Sequence, residues 1–171
     1  GLTKGQYSPT SERGFVSKSS PFGTVEDPFI PAELCFGARG RFFARSLDID
    51  MKLLGQCMVA SAQHKGAAVV EVLVNCVIFN DGIHKGVAQR DTREDRSVVL
   101  RHGEKMIFGK EKNKGIVLDG LRLKVVTIGE DGYTLDDVLT HDAHEVDPTL
   151  HTMLAMMGTS DDMPVAFGVI R

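Results

Sequence analysis

The first five residues have types and spacing that could bind a ligand. The run Gly1-Leu2-Thr3-Lys4-Gly5 places a lysine between two glycines. Glycine lets the backbone adopt positive φ and approach a ligand closely, and a lysine in such a loop can bind an anion as a point charge. The composition of this run also fits an exposed turn, so the run alone does not decide between the two.

A second candidate is Cys76, which lies at the end of a valine-rich segment. A cysteine in this position is most often a small core residue. The functional alternatives are a nucleophile and a metal-ligating thiolate. A nucleophile would need a positioned histidine, and His84 is close only in sequence. One thiolate holds a cluster only if further ligands come from elsewhere.

The segment "HDAHEVDPTLH" brings three histidines close together, at 141, 144 and 151. A spacing of three residues places two of them on one helical face, as in a metal site. Asp147 and Pro148, however, predict a helix start inside the segment. We therefore do not expect a metal site here. Two further cysteines, Cys35 and Cys57, lie among apolar neighbours and are predicted to be core residues.

Composition limits the class of protein. The chain has 171 residues, of which 42% are hydrophobic and 25% charged, with a net charge of -3. These values are typical of a globular protein and argue against a general nucleic-acid binder. No apolar run reaches the roughly 18 residues that a membrane helix needs. An odd cysteine count at wide spacing fits no disulfide framework and indicates a reducing cytoplasmic location.

Residues 30–79 predict the elements that would position these side chains. Pro31 begins a short helix, "RFFARSL" is a strand, and Asp48 or Asp50 caps a helix that ends at Gly66. On that helix Met51, Leu54, Met58 and Ser61 are predicted to share one face, with Leu53 and Cys57 beside it. The segment "AAVVEVLVNCVIF" reads as a strand buried on both faces, which is typical of a parallel sheet. This order predicts half of an open α/β sheet.

The rest of the chain predicts less regular structure. Residues 1–29 are rich in Gly, Ser, Thr and Pro and are predicted to form a functional loop or to dock on something outside the chain. Residues 80–104 indicate a solvated connection. Residues 105–129 predict two or three short strands with turns at 113–115 and 119–120. These strands are followed by one helical turn or short strand. A helix begun by Asp147 and Pro148 and a terminal strand "PVAFGVIR" complete the chain as predicted from its sequence.

Taken in order, several of these stretches resemble one family. "GLTKGQYSPTS", "SKSSPFG", "PAELCFGARGRFFARSLD" and "HKGAAVVEVLVNCVIFND" are similar to the thiamine-diphosphate-binding beta subunit of 2-oxoacid:ferredoxin oxidoreductases. The tail segments "MIFGKEKNKGIVLDGL", "VLTHDAHEVDPTLHTMLAMMG" and "PVAFGVIR" resemble the C-terminal region of that subunit in bacterial enzymes that use 2-oxoglutarate. The stretch "GVAQRDTREDRSVVLRHGE" is less similar.

The resemblance implies an α/β fold. The chain would form half of an open, mostly parallel thiamine-diphosphate-binding sheet with helices on both faces, plus a small C-terminal α+β extension with a hairpin. The implied domains are residues 1–79 for the sheet, 80–104 for the connection and 105–171 for the extension. The chain would be the C-terminal half of the subunit, with the magnesium ligands and most cluster cysteines upstream of Gly1.

The resemblance also implies roles for individual residues. Gly1, Leu2 and Thr3 would contact thiamine diphosphate, and Leu2 and Lys4 would bind the substrate, with Lys4 receiving its carboxylate. Cys76 matches the distal cysteine that completes a [4Fe-4S] cluster. The implied cofactors are thiamine diphosphate, Mg²⁺ and this cluster.

The implied activity is oxidative decarboxylation of 2-oxoglutarate to succinyl-CoA, with electrons passed to ferredoxin. The partners would be the alpha subunit, ferredoxin, the 2-oxoacid and coenzyme A, without nucleic acid or membrane. The alternatives are that the substrate is pyruvate or a branched 2-oxoacid, that the chain alone is a non-catalytic subunit-interaction module, or that Cys76 serves a cysteine hydrolase.

Overall fold

A four-stranded sheet forms the larger layer of the fold in the computed structural model, which describes residues 3–159 and 162–171. A separate three-stranded antiparallel sheet packs beside it. The helices are α1 (Pro31–Gly37), α2 (Met51–Gln63), α3 (Lys85–Ala88), α4 (Arg93–Arg96) and α5 (Thr149–Met156). The strands are β1 (Phe43–Leu47), β2 (Val69–Leu73), β3 (Ser97–Leu100), β4 (Ile107–Phe108), β5 (Lys114–Asp119), β6 (Arg122–Thr127) and β7 (Val165–Val169).

The larger sheet has the strand order β2-β1-β7-β3. Within it β1 is parallel to β2 and β3 is parallel to β7, whereas β1 and β7 are antiparallel. The sheet is therefore mostly parallel, as the sequence predicts. One prediction is wrong: residues 97–100 form a strand of this sheet instead of a solvated connection, because Val98 and Leu100 are buried in its core. The division into three domains stays a prediction.

Helices cover both faces of this sheet, as predicted. Neighbouring residues of β7 show this, because Ala166 belongs to one hydrophobic core and Phe167 to the other. The first core contains residues of α1 and α5, and the second contains residues of α2 and α3. Since successive side chains of a strand point to opposite faces, the two cores lie on opposite sides of the sheet.

Helix α2 begins where the sequence predicts but buries a different face. The Asp50 side chain accepts a hydrogen bond of 3.0 Å from the Leu53 backbone N–H, which is a standard N-cap. Leu53 and Cys57 are buried, whereas Met51 and Met58 are exposed. The predicted face was wrong because Leu53, Cys57 and Ala60 also recur at helical spacing, and only the position of the sheet decides which stripe is covered.

The valine-rich strand is shorter and more exposed than predicted. β2 ends at Leu73, and within the described residues it pairs with β1 alone. Val69 is exposed, and the other four residues of β2 are only partly buried. The prediction of a strand buried on both faces is therefore wrong for the described structure, because β2 lies at the edge of the sheet.

The smaller sheet confirms the predicted hairpin. β5 and β6 pair antiparallel, with Asp119 opposite Arg122 across a two-residue turn. Gly120 has a φ of 61° in this turn, a conformation that glycine adopts without strain. Met106 and Ile116 are buried in the hydrophobic core that also contains residues of α5, and so they attach this sheet to the rest of the fold. No helix among the described residues is long and apolar enough to cross a membrane.

Candidate functional site at the carboxyl ends of β1 and β2

Two neighbouring strands end beside each other and fix the loops that follow them. Because β1 and β2 are parallel, their carboxyl ends lie at one edge of the sheet, where α/β folds bind ligands. The Asp48 N–H donates to Leu73 O at 3.1 Å, and the Asp48 carboxylate accepts from the Asn75 N–H at 3.2 Å. The Asn75 side chain in turn binds Asp81 and the Gly82 N–H. The loop that contains Cys76 is therefore held to the end of β1.

Cys76 begins a tight turn directly after this anchor. The Asn80 N–H donates to Cys76 O at 2.9 Å, which closes the turn over three intervening residues. The thiol is half-buried and forms no disulfide. Hydrogen bonds from the backbone N–H of Phe79 and, to a smaller extent, that of Ile78 lower the pKa of Cys76 below its ordinary value. This environment favours a thiolate, the form of cysteine that ligates metals.

The opening segment packs against this turn. Residues Thr3–Gly5 form one turn of 3-10 helix in which Gly5 is buried with a φ of 83°. A Cβ built on Gly5 would lie 2.7 Å from Cδ1 of Phe79, so glycine lets the backbone at position 5 pack directly against the Phe79 ring. The structure therefore brings the segment of Lys4 into contact with the turn of Cys76.

Lys4 itself is exposed and has a φ of 60°. A positive φ is uncommon for a lysine and is enriched at functional sites. Among the described residues no carboxylate forms an ion pair with Lys4, so its ammonium group is free to receive an anion. Thr3 is also exposed in this turn. The predicted roles of Gly1 and Leu2 fall outside the described residues.

The remaining cysteines and His84 do not join this site. Cys35 and Cys57 are buried in different cores, as predicted, and burial raises the pKa of both thiols. Burial lowers the pKa of His84, and no hydrogen bond among the described residues joins it to Cys76. The geometry therefore gives no support to a cysteine hydrolase.

The histidines at 141 and 151 are structural within the described residues. Both side chains are buried, and their Nε2 atoms lie 2.9 Å from Val169 O and 2.7 Å from Asp142 O. Each Nε2 therefore carries the proton. Their Nδ1 atoms are buried without a hydrogen-bond partner. No group of three His, Cys, Asp or Glu side chains in residues 3–159 and 162–171 is arranged to hold a metal ion.

This pair predicts loss of stability in acid. Burial lowers the pKa of both His141 and His151, since a second proton on either ring would lie on Nδ1 without an acceptor. Both rings are neutral in the folded protein and take up protons on unfolding. We expect the free energy of unfolding to fall as pH drops below about 6.5, by up to about 1.4 kcal/mol per pH unit for each histidine. Urea unfolding between pH 7.5 and 5 measures this slope.

The exposed His144 provides the matched control for this prediction. His144→Gln should leave the slope between pH 7.5 and 5 unchanged. His151→Gln should reduce the slope, whatever its effect on stability at neutral pH. A slope that is equal in the wild type and in His151→Gln would contradict the assignment.

A cluster thiolate fits the Cys76 turn on chemical grounds. The thiol is accessible, its pKa is lowered, and two backbone N–H groups point at the sulfur. Hydrogen bonds of this kind to ligating sulfurs also tune the potential of iron–sulfur clusters. Cys76 would supply one ligand, and the other ligands would come from residues outside the described set. Sequence reasoning missed the supporting roles of Asn75 and Phe79, although both lie within three residues of Cys76.

Fold and site together define an α/β domain whose candidate functional groups lie beyond the carboxyl ends of two parallel strands. The whole chain is 39% identical to the 2-oxoglutarate oxidoreductase subunit KorB of Mycobacterium tuberculosis, of which it covers 45%. Over 81 residues, 47% of the chain, it is 41% identical to the beta subunit of 2-oxoacid:ferredoxin oxidoreductase 1 of Aeropyrum pernix, of which it covers 26%. The chain belongs to the beta-subunit family of the 2-oxoacid:ferredoxin oxidoreductases.

A solved structure supports the same fold. The 2-oxoglutarate:ferredoxin oxidoreductase from Magnetococcus marinus, solved with 2-oxoglutarate, coenzyme A and succinyl-CoA bound, matches 99% of the chain with a TM-score of 0.60. The match covers 42% of that chain, and the sequences are 19% identical, so it shows the fold alone. The chain spans less than half the length of the curated relatives that it matches. No protein-family model matches the chain.

Proposed function

We propose that the chain is part of the beta subunit of an enzyme that oxidatively decarboxylates 2-oxoglutarate to succinyl-CoA and passes the electrons through a [4Fe-4S] cluster to ferredoxin. The observation that carries the proposal is the contact between Gly5 and Phe79, because it joins an unpaired lysine to a turn built for a thiolate. The names of the relatives support the class of reaction.

Each residue then has a role that follows from its position. Thr3, together with Gly1 and Leu2, would contact thiamine diphosphate, as the family resemblance implies, and Mg²⁺ would help to hold the diphosphate. Lys4 binds a carboxylate of the substrate, with Leu2 limiting the shape of the substrate side chain. Cys76 holds one iron of the cluster. Thiamine diphosphate supplies the electron sink that decarboxylation requires.

The partners follow from the same proposal. An alpha subunit completes the enzyme, ferredoxin accepts the electrons and coenzyme A accepts the acyl group. The three cysteines are free, as is usual in a reducing compartment, and we place the enzyme in the cytoplasm. Pyruvate and branched 2-oxoacids are the alternative substrates, which differ from 2-oxoglutarate in lacking a second carboxylate.

Replacement of Lys4 tests the substrate assignment. A charge-assisted hydrogen bond contributes about 1.5–3 kcal/mol, so Lys4→Ala in the complete enzyme should lower kcat/KM for 2-oxoglutarate by about 10- to 100-fold. If Lys4 binds the distal carboxylate, kcat/KM for pyruvate should change less. The measurement is the reduction of a viologen dye at several concentrations of each substrate.

Lys18 offers a matched control, because it is an exposed lysine of the same N-terminal region. Lys18→Ala should leave both substrates unaffected, and Lys4→Arg should recover part of the lost activity because it restores the positive charge. Unchanged turnover of 2-oxoglutarate in Lys4→Ala would remove Lys4 from the site.

The second candidate is that the chain serves subunit association without taking part in catalysis. Several large apolar side chains are exposed, among them Phe22, Val77 and Ile78. Exposed apolar patches commonly mark interaction sites. Under this alternative, Phe22→Ser should weaken association with the alpha subunit, whereas Lys4→Ala and Cys76→Ala should leave turnover unchanged once the complex is assembled.

A further inference from the structure

A large cavity lies away from the Cys76 turn. It has a volume of about 820 Å³ and lies between α2, the ends of β3 and β7 and the loop of residues 143–146. This volume is within the roughly 300–1,000 Å³ that is common for small-molecule sites. Its apolar lining comes from two sides, α2 and the sheet: Phe42, Leu53, Cys57, Ala60, Leu100 and Val169.

The charges around this cavity are strongly unequal. Arg41, Lys65, Arg101 and Arg171 line it, whereas Glu145 is the acidic residue among the described lining residues. The chain as a whole is negative, with a net charge of -3. A concentration of positive charge in a concave, partly apolar site raises the local concentration of anions. The cavity therefore favours an anionic ligand over a neutral one.

Arg171 is the buried cation of this set. Its residue is 9% exposed, and its guanidinium donates to Gly40 O at 3.1 Å and to Val146 O at 2.8 Å. Within the part of the chain that the structure describes, it forms no ion pair with a carboxylate. The charge of Arg171 is close enough to Asp147 to help lower the pKa of that carboxyl, so it is partly compensated, and an anion in the cavity would add to this compensation.

The other positively charged side chains around the cavity differ in whether a carboxylate lies close to them. Arg101 lies 3.6 Å from Glu104, so its charge is partly compensated, and His102 lies 3.2 Å from Asp142. Arg41 and Lys65 are exposed at the opposite wall and form no ion pair among residues 3–159 and 162–171. Arg41 and Lys65 are therefore the side chains most available to a ligand at the rim.

Flat rings line two sides of the cavity. The rings of Phe42 and His64 lie 5.3 Å apart, and those of His102 and His144 lie 4.5 Å apart. All four residues line the cavity. Phe42 is buried, so the exposed rings of His102 and His144 are the ones able to stack with a planar aromatic group. A ligand that combines an aromatic part with phosphate groups would use the rings, the apolar lining and the cations together.

We propose that this cavity binds a phosphorylated aromatic ligand of nucleotide size. Arg41 and Lys65 would hold the phosphates at the rim, Arg171 would provide the buried positive charge, and the aromatic part would lie over the apolar lining. The site is separate from the Cys76 turn and does not rest on the proposed function.

Calorimetric titration of the purified protein with ADP tests this proposal. We expect saturable 1:1 binding that weakens as salt is raised from 50 to 300 mM, because the rim charges are exposed and screened. Arg41→Gln combined with Lys65→Gln should weaken ADP binding by about 10-fold or more, since two charge-assisted contacts are lost. Lys18→Gln combined with Arg122→Gln removes the same charge from exposed positions that do not line the cavity, and it should leave binding unchanged.

Two further titrations separate the parts of the ligand. Inorganic pyrophosphate and adenosine should each bind at least about 10-fold more weakly than ADP, because each lacks one half of the contacts. The proposal is overturned if ADP does not bind, if pyrophosphate or adenosine binds as tightly as ADP, or if the two double variants weaken ADP binding equally.

Discussion

On the proposed function, replacing Cys76 with alanine should remove the iron–sulfur cluster from the complete enzyme and abolish its reduction of ferredoxin, while the protein keeps its fold. The thiol is half-buried at the start of a surface turn, so the lost packing is small. The turn is held by Asn75 and Asn80 through backbone and side-chain hydrogen bonds that alanine leaves in place. What the variant would lose, on the proposed function, is one thiolate ligand.

Four measurements on the Cys76→Ala variant check this expectation. Iron content per enzyme should fall, and the electron paramagnetic resonance signal of the dithionite-reduced cluster should disappear. The Tm of the isolated chain should change by no more than about 2 °C, as is usual for a surface substitution. Ferredoxin reduction should fall by at least about 100-fold, because loss of the acceptor removes the route for electrons.

Cys57→Ala is a control for which the opposite pattern is expected, with a loss of stability and no loss of the cluster. The Cys57 side chain is 1% exposed in the core beneath α2, where burial raises the pKa of the thiol. Cys57→Ala should therefore lower the Tm, because it leaves a small cavity, but it should keep the iron content and the spectroscopic signal. A Cys76→Ala enzyme with full iron content would place the cluster ligand elsewhere.

Local signals made several elements predictable. Pro31 and Asp50 begin helices because they suit the first turn and the N-cap, and the structure places both helices there. The turn at Gly120 follows from its conformational freedom. The position of Cys76 beyond a strand end was not predictable in this way, because the apolar run continues to Phe79 and predicts a strand that includes Cys76, whereas β2 ends at Leu73.

Partners distant in sequence explain the errors. β7, at the end of the chain, lies between β1 and β3 and brings residues 97–100 into the sheet. Nothing near Val98 in the sequence signals that neighbour, so the segment looks like a connection. The exposed edge of β2 and the buried stripe of α2 depend in the same way on which strands surround them.

The candidate site was predictable only in part for the same reason. The contact between Gly5 and Phe79 joins segments more than seventy positions apart, and it requires the order of strands in the sheet. The basic cavity is assembled from more distant segments still, with Arg41, Arg101 and Arg171 on different parts of the chain. Chemistry-bearing residues can be found one at a time in a sequence, but their distances depend on the topology.

The buried ion pair between Arg45 and Glu71 should have the largest effect on stability. Arg45 on β1 lies opposite Glu71 on β2, and Arg45 Nε lies 2.5 Å from Glu71 Oε2. A second nitrogen of Arg45 donates to Ala155 O of α5 at 3.1 Å. The two side chains are 8% and 16% exposed. Glu71→Leu would leave the arginine charge buried without its partner, which costs about 3–5 kcal/mol of unfolding free energy.

A double-mutant cycle separates this penalty from loss of packing. Arg45→Met alone should also destabilise the protein, whereas Arg45→Met combined with Glu71→Leu should be more stable than Glu71→Leu alone, because no unpaired charge remains. The free energies come from urea unfolding of the four proteins at pH 7. The exposed pair of Arg13 and Asp27, 3.5 Å apart, is the control, and its cycle should give a coupling below about 1 kcal/mol.

The consequence for the site follows from the register of the two strands. The pair fixes Arg45 opposite Glu71, and this alignment sets the distance between the Asp48 carboxylate and the Asn75 N–H. Glu71→Leu should therefore weaken the anchor of the Cys76 turn as well as the fold, and the rate of alkylation of Cys76 by iodoacetamide should rise. If the double variant lost as much stability as the two single variants together, the ion pair would not be coupled and this account of the register would be wrong.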